Sequence, residues 1–162
     1  MHDILIREAE ESELDLCAAV IRDSFATVAA EFGLTRENCP GNGAFMETGR
    51  LRAQREQGRR QYALTSSGVI IGFAELEEKP GRVYELQKLA VLPQYRHCGY
   101  GKMLLDFAKR QAASWGGSKI TIGIIEKNTR LKNWYARNGF VHTGTQLFDF
   151  LPFVVGYMVY TL

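Results

Sequence analysis

The chain has 162 residues, of which 46% are hydrophobic and 23% charged, and its net charge is +2. This length and apolar content suit one domain with a sizeable core, and no Pro/Ser-rich linker divides residues 1–162. The Arg and Lys residues are spread among acidic residues, without the basic stripe that binding to nucleic-acid phosphates requires. We therefore expect a single domain that does not bind nucleic acid.

The three cysteines, Cys17, Cys39 and Cys98, are an odd number and lack the Cys-x-x-Cys spacing of a metal site. This pattern favours a reducing compartment over a disulfide framework, and we expect no metal. The chain opens into a strand-like segment without a signal-peptide profile, and its most apolar tail, residues 150–160, is too short to span a bilayer. We expect a soluble, cytoplasmic protein without a membrane partner.

The start of the chain predicts a strand followed by a helix. Residues 4–7 have the composition of a first strand. Ser12, with Asp15 three residues later, has the pattern of a capping box that would start the helix. Cys17 is then a small core residue rather than a nucleophile. Apolar residues recur at helical spacing on one stripe, namely Leu14, Cys17, Ile21 and Phe25.

A loop and an arginine-rich helix come next. Residues 31–43 have the Asn, Pro and Gly content of a loop, and a second helix is expected over about residues 45–56. The arginines could form a solvated helical face, or they could contact an acidic group of a ligand. Both interpretations stay open for Arg50, Arg52, Arg55, Arg59 and Arg60.

The middle of the chain predicts three antiparallel strands, a helix and a fourth strand. Residues 62–65 and 69–76 would form a hairpin, and a turn at 79–81 leads to a strand over 83–92. A helix, ended by Gly116 and Gly117, would connect this strand to a parallel strand at 119–125. The side of this helix that faces the core is expected to carry Leu104, Phe107, Ala108, Ala112 and Trp115.

The last part predicts a helix over about 129–138, ended by Gly139, and closing strands over 140–148 and 154–162. The resulting order, β-α-α-β-β-β-α-β-α-β-β, is an α+β arrangement. The final strand is apolar, with Tyr157, Val159 and Tyr160, so it could pair with another chain in a homodimer.

A glycine turn (residues 96–101) lies between the 83–92 strand and the helix. Its pattern is Arg96-x-x-Gly99-x-Gly101, which matches neither a Walker loop nor a Rossmann fingerprint. The glycines let a ligand approach N–H groups that have no partner inside the helix, and the helix dipole attracts anions. His97 and Lys102 can add donors beside Arg96. The turn therefore predicts a ligand that carries a diphosphate.

Two ordered motifs resemble those of the GNAT (GCN5-related) N-acetyltransferase superfamily. Residues 89–101, with Pro93 and Tyr95 before the glycine turn, are similar to the family's acetyl-CoA signature. Residues 126–140, with Asn128, Tyr135 and Gly139-Phe140, are similar to its later Asn…Tyr-x-x-x-Gly-Phe segment. Two motifs in the right order are far more specific than either alone.

The resemblance implies a GNAT-type acyl-CoA N-acyltransferase fold: a central, mixed, mostly antiparallel sheet with a β-α-β acetyl-CoA-binding core and flanking helices. It implies an acyltransferase that uses acetyl-CoA as co-substrate, needs no metal, and moves acetyl directly to a primary amine in a ternary complex. In the family the central strand is bulged and splays from its parallel neighbour, and acetyl-CoA lies in the gap. The implied cofactor-binding residues are Leu89, Ala90, Val91, Arg96, His97, Cys98, Gly99, Tyr100, Gly101, Lys102, Asn128 and Tyr135.

The same resemblance assigns two catalytic roles. The Val91 N–H would polarise the thioester carbonyl, and Tyr135 would protonate the departing thiolate. Asn128 and Tyr135 are seven residues apart, so they lie on one helix face, and the usual pKa of tyrosine, near 10, is close to that of a thiol. From the residues alone, Tyr135 could equally be a core aromatic beside Leu131, and Asn128 an N-cap.

The general base and the acceptor are less constrained. Glu85, six residues before Val91, is the first candidate base by resemblance, with Glu126, Glu75 and ordered water as alternatives. The sequence identifies no partner for His142. In the family, the first two helices and the loop between them wall the acceptor site, and the acceptor could be a small amine, a polyamine or a protein amine. The alternative function is a catalytically inactive acyl-CoA sensor or interaction module.

Overall fold

The computed structural model describes residues 3–162. In this range no helix is long and apolar enough to cross a membrane. The helices are Leu14–Phe32 (α1), Thr48–Glu56 (α2), Tyr100–Ser114 (α3) and Thr129–Arg137 (α4). The strands are Ile4–Glu8 (β1), Arg60–Ser66 (β2), Val69–Lys79 (β3), Val83–Val91 (β4), Lys119–Ile125 (β5), Val141–Leu147 (β6) and Val154–Thr161 (β7).

The strands form one mixed sheet in the order β1-β2-β3-β4-β5-β7-β6. The β4–β5 pair is parallel and the other neighbouring pairs are antiparallel, because α3 carries the chain back across the sheet between β4 and β5. The β2–β3 hairpin turns at Ser67 and Gly68, both with positive φ, as a two-residue turn requires. The predicted α+β class and element order are confirmed.

Helices cover the sheet on both faces, and alternate strand residues enter different cores. On one face, α1 and α2 pack on Ala63 and Phe73. On the other face, α3 packs on Tyr62, Leu64 and Ala74. The prediction that Cys17 is a core residue is confirmed, because it is fully buried on the inner face of α1 and burial raises the pKa of its thiol to about 12.

The predicted start of α1 is wrong. A short 3-10 turn precedes the helix, and Glu10 and Glu13, not Ser12, form the capping box. The Glu13 carboxylate accepts a hydrogen bond of 2.8 Å from the Glu10 N–H and pairs with Arg7 of β1 at 3.1 Å. The ion pair with the neighbouring strand fixes Glu13 at the helix start, and a local sequence pattern could not reveal it.

Helix α2 is shorter than predicted, and its arginines attach it to neighbouring segments. Arg50 donates a hydrogen bond of 2.8 Å to the Gly41 carbonyl of the α1–α2 loop. Arg55 donates one of 2.6 Å to the Ala9 carbonyl. These contacts show that the arginines are more than a solvated face.

The expectation that the last strand pairs with a second chain is wrong. β7 lies between β5 and β6, and both neighbours pair with it along most of its length. Its backbone groups are therefore used within the chain. The outer edges of the sheet are β1 and β6, so a homodimer through β7 is not available.

Candidate active site

Strand β4 carries a bulge in its second half. Phe73 of β3 pairs with Ala90, and Glu75 pairs with Gln87, so Lys88 and Leu89 lie opposite a single residue of β3. Lys88 takes a positive φ of 54°, which is uncommon for a residue with a side chain. The bulged central strand that the resemblance implies is present.

The parallel pair β4–β5 opens into a gap beyond the bulge. The two strands pair only over Val83–Glu85 and Lys119–Thr121. The Leu92 N–H bonds the Ile71 carbonyl of β3, so the N–H of the preceding residue, Val91, points away from β3 and toward this β4–β5 gap. The splay that the resemblance implies is also present, and it leaves a backbone donor free in the gap.

The backbone of the glycine turn is curled at the start of α3. His97 has a φ of 63° and Gly99 a φ of 85°, a curled backbone in which N–H groups converge. The first N–H groups of α3 have no acceptor within the helix. Trp134 of α4 packs beside the turn, and a Cβ on Gly101 would make an ordinary van der Waals contact with its ring at 3.5 Å, so this packing does not itself require glycine. His97 and Cys98 are exposed, and Lys102 pairs with Asp106 at 2.7 Å.

Helix α1 is attached to the glycine turn and to α4. Arg96 donates hydrogen bonds to the Ser24 carbonyl at 2.6 Å and to Thr27 Oγ1 at 3.0 Å. Arg130 at the start of α4 pairs with Glu31 of α1 at 2.7 Å. Burial, and then the charge of Arg130, lower the pKa of Arg96. Sequence reasoning missed the polar stripe at 24, 27 and 31 of α1, although its helical spacing was visible.

Tyr135 lies on α4, and Asn128 is the residue that caps the start of this helix. The Asn128 side chain accepts a hydrogen bond of 3.2 Å from the Leu131 N–H, which confirms the N-cap interpretation. Tyr135 is buried, and its ring packs edge-on against Trp134 and Phe140. Burial raises the pKa of Tyr135, so the hydroxyl keeps its proton at neutral pH.

Glu85 lies at the closed end of the β4–β5 gap. It pairs with Glu77 of β3 and Thr121 of β5, and its carboxylate is 3.5 Å from Lys79. Val91 is six residues further along, about 20 Å at 3.3 Å per residue. The fold therefore does not bring Glu85 next to Val91.

Glu126 follows β5 at the open end of the gap. It pairs with Lys132 and lies 2.9 Å from His142, a partner that the sequence did not identify. Hydrogen bonds from Lys132 and then His142 lower the pKa of Glu126. Gly156 makes room for this carboxylate, because a Cβ there would overlap it.

Glu75 is fully buried between two cations. Its Oε1 accepts hydrogen bonds from Lys88 at 2.6 Å and from Arg59 at 3.0 Å, and its Oε2 accepts one from Gln61 at 2.9 Å. Sequence reasoning did not single out Lys88, because its inward orientation depends on the bulge.

Metal binding has no support in residues 3–162, where no three His, Cys, Asp or Glu side chains lie close enough together to hold a metal ion.

Comparisons with known protein families, sequences and solved structures agree with this geometry. Residues 30–140, more than half of the chain, match the family model "Acetyltransferase (GNAT) family", and the chain belongs to that family. An uncharacterized N-acetyltransferase of Mycobacterium tuberculosis is 37% identical over 81 residues, 50% of this chain and 52% of that protein. The match thus spans about half of that relative. An uncharacterized N-acetyltransferase of Lactobacillus delbrueckii subsp. lactis is 27% identical over 91% of this chain and 90% of that protein.

Solved structures share the fold. The PaiA N-acetyltransferase of Thermoplasma acidophilum in complex with coenzyme A has a TM-score of 0.74 at 22% identity, over 99% of both chains. The ribosomal-protein-S18-alanine N-acetyltransferase of Escherichia coli has a TM-score of 0.77 at 15% identity, over 98% of this chain and 94% of that one. YncA of Salmonella typhimurium, a putative acetyltransferase solved with acetyl-CoA, has a TM-score of 0.73 at 19% identity. The match covers 98% of this chain and 94% of that one.

Proposed function

We propose that the protein is an acetyl-CoA-dependent N-acetyltransferase that transfers acetyl directly to a primary amine in a ternary complex. The observation that carries this proposal is the β4–β5 gap, into which the free Val91 N–H points. Family membership supports it, as do structures of similar fold that were solved with coenzyme A or acetyl-CoA. A cytoplasmic location stays a prediction.

The residues present fit this co-substrate. The turn from His97 to Lys102 would hold the diphosphate with backbone N–H groups, and the curled backbone at His97 and Gly99 supports this role. Backbone groups of Leu89, Ala90 and Val91 would hold the chain that enters the gap. Bound acetyl-CoA supplies the acetyl thioester; the chain's own groups orient it and stabilise charge.

Val91 and Tyr135 carry the proposed chemistry. The Val91 N–H donates a hydrogen bond to the thioester carbonyl and stabilises the negative charge that develops on its oxygen during attack. The Tyr135 hydroxyl, which is protonated at neutral pH, gives its proton to the departing sulfur. Burial raises the pKa of Tyr135, which keeps the hydroxyl protonated but also makes it a weaker acid than an exposed tyrosine. Asn128, as N-cap, fixes the start of the helix that presents Tyr135.

We propose that the acceptor amine loses its proton to water. An ammonium group with a pKa near 10.4 must be deprotonated before attack. Glu85 lies at the closed end of the gap and could take this proton only through a water chain. Hydrogen bonds from Lys132 and His142 lower the pKa of Glu126, which makes it a weak base. Glu75 is fully buried, and its carboxylate already accepts hydrogen bonds from Arg59, Lys88 and Gln61.

The test is release of free CoA thiol from acetyl-CoA with a panel of small amines, polyamines, amino acids and peptides. We expect release that depends on one class of amine, above the rate of hydrolysis without amine. A panel without any stimulating amine would contradict the proposal. If acetyl-CoA still raised the melting temperature in that case, the chain would be a binding module instead.

A further inference from the structure

The direction of the backbone groups of β5 follows from its pairing with β7. The two strands keep one register over residues 119–125 of β5, and the Glu126 N–H bonds the Val154 carbonyl in that same register. Hydrogen bonding alternates along an antiparallel strand, so the even-numbered residues of β5 bond β7 and the odd-numbered residues face β4. Gly123 therefore directs both its N–H and its carbonyl toward the β4–β5 gap.

These two groups of Gly123 have no partner across the gap. In the part of the chain that the structure describes, pairing between β4 and β5 ends at Thr121, two residues earlier. Ile125, the next residue of β5 that faces β4, already gives its carbonyl to the Asn128 N–H. A strand edge with a free donor and a free acceptor is a template for another extended chain.

Neither the backbone nor the packing requires a glycine at position 123. Gly123 is not among the residues with a positive φ. A Cβ there would lie 3.4 Å from Val155 and 3.7 Å from the Tyr157 ring, which are ordinary contacts. Glycine weakens the interior of a strand and often marks a place where another backbone approaches closely. The missing side chain leaves the space beside the gap open.

This open space lies on the sheet face that α1 and α2 cover elsewhere. Gly123 is exposed, while its neighbours Ile122 and Ile124 are buried in the core on the opposite face. The core beneath α1 and α2 contains no residue of β5. A chain that lies in the gap cannot continue past Thr121, where β4 and β5 pair, but it can leave over Gly123.

The spacing along the strands suits the third residue of a peptide. Val91 is six positions after Glu85, one of them the extra residue of the bulge, so it lies level with Glu126, five positions after Thr121. Val91 is thus three residues beyond Gly123, about 10 Å at 3.3 Å per residue. Two residues of an extended peptide span about 7 Å, which leaves about 3 Å between its α-amine and the level of Val91. Reacting groups about 3–3.5 Å apart are in position for attack.

We propose, resting on the N-acetyltransferase function above, that the substrate amine is the N-terminal α-amine of an extended peptide, which pairs with Gly123 as an added strand. The peptide runs antiparallel to β5, with its amine toward Val91. The Gly123 N–H donates to the carbonyl of the third peptide residue, and the Gly123 carbonyl accepts from the N–H of that residue. The N–H of the second peptide residue points away from β5, and a simple alkylamine offers neither group.

The test compares tetra-alanine amide with the same peptide N-methylated at its second or at its third residue. We expect methylation of the third residue to lower kcat/KM about fivefold or more, the effect of one lost hydrogen bond, and methylation of the second to change it less than about twofold. Propylamine should be at least about fivefold poorer than the peptide. Equal effects of the two methyl groups, or equal use of propylamine, would overturn the inference and leave the N-acetyltransferase proposal standing. Transfer to none of these, nor to the wider amine panel, would overturn both.

Gly123→Val tests the path over β5. The added side chain fills the open space, so KM for tetra-alanine amide should rise about 10-fold or more, with KM for acetyl-CoA and the rate with propylamine within about threefold. Thr161→Val, on the same sheet face at the far end of β7, is the matched control and should change nothing. Gly123→Ala replaces Gly123→Val if that variant does not fold. An unchanged KM for the peptide in the folded variants would overturn the assignment.

Binding can also be followed without turnover, from the backbone amide signal of Gly123 in nuclear magnetic resonance spectra. With CoA bound in place of acetyl-CoA, tetra-alanine amide should shift this signal. The peptide methylated at its third residue should shift it much less at the same concentration. A Gly123 signal that does not move at peptide concentrations that saturate turnover would contradict the added strand.

Discussion

Arg96 Nη2 donates a hydrogen bond of 2.6 Å to the Ser24 carbonyl, so the first residue of the glycine turn is attached to helix α1. A second bond, to Thr27 Oγ1, strengthens the attachment. The turn that would hold the cofactor and the helix that covers the neighbouring face are therefore mechanically linked. Cofactor binding at the turn and the position of α1 should depend on each other.

Arg96→Ala should destabilise the protein, because it removes charge-assisted hydrogen bonds to α1. We expect a loss of about 1.5–3 kcal/mol, where each kcal/mol lowers the melting temperature by about 2–4 °C. Thermal unfolding followed by circular dichroism measures this. Arg110→Ala, on the exposed side of α3, is the control and should stay near wild type. A wild-type melting temperature for Arg96→Ala would show that the link to α1 is energetically irrelevant.

Gly156→Ala should displace the Glu126 carboxylate, since the added Cβ would occupy its place. Overpacking of this kind costs about 1–3 kcal/mol. In a Glu126→Ala background the same substitution should cost little, because the clash is gone. Gly41→Ala, where a Cβ meets open space, is the control for introducing alanine. Equal costs in both backgrounds would contradict the close approach of Glu126 to Gly156.

Acidification should lower the free energy of unfolding through protonation of Glu13. The hydrogen bond from Arg7 lowers the pKa of Glu13 in the folded state, while its unfolded value is about 4.3. The stabilisation is therefore complete above pH 4.3 and is lost as pH falls through the folded pKa. Glu13→Gln should be less stable than wild type at pH 7, and the difference should shrink below pH 4 in urea unfolding. Glu56→Gln, exposed on α2, should show no such convergence.

Tyr135→Phe should remove the proton donor and keep the fold. Tyr135 is 5% exposed between Trp134 and Phe140, and phenylalanine fits the same cavity. We expect kcat to fall about 100-fold or more, with acetyl-CoA affinity within about threefold of wild type. Because burial raises the pKa of Tyr135, wild-type kcat should show no alkaline loss from tyrosine ionisation below about pH 10. A full rate in Tyr135→Phe would assign the proton to water.

The sequence was sufficient to predict the fold and the glycine turn, because the motifs that predict them are local or follow one another in a fixed order along the chain. The hairpin predicted over residues 62–76, the Gly116 stop and the two spaced motifs each predicted what the structure contains. The N-cap role of Asn128 was likewise available from its position before a helical segment.

Contacts between distant segments could not be predicted. The Arg7 pair that moves the capping box to Glu13, and the insertion of β7 between two strands, depend on tertiary arrangement. The inward orientation of the Lys88 side chain depends on a bulge that the local sequence does not predict. These contacts decide the partners of the charged residues around the site.

The most direct test of the central claim is to identify both products by mass spectrometry, with wild type and Tyr135→Phe compared. Acetyl-CoA is mixed with the acceptor panel, and free CoA and acetylated amine are quantified together. The account predicts equal amounts of the two products with wild type and neither above background with the variant. Free CoA without acetylated amine, or binding of acetyl-CoA without either product, would contradict it.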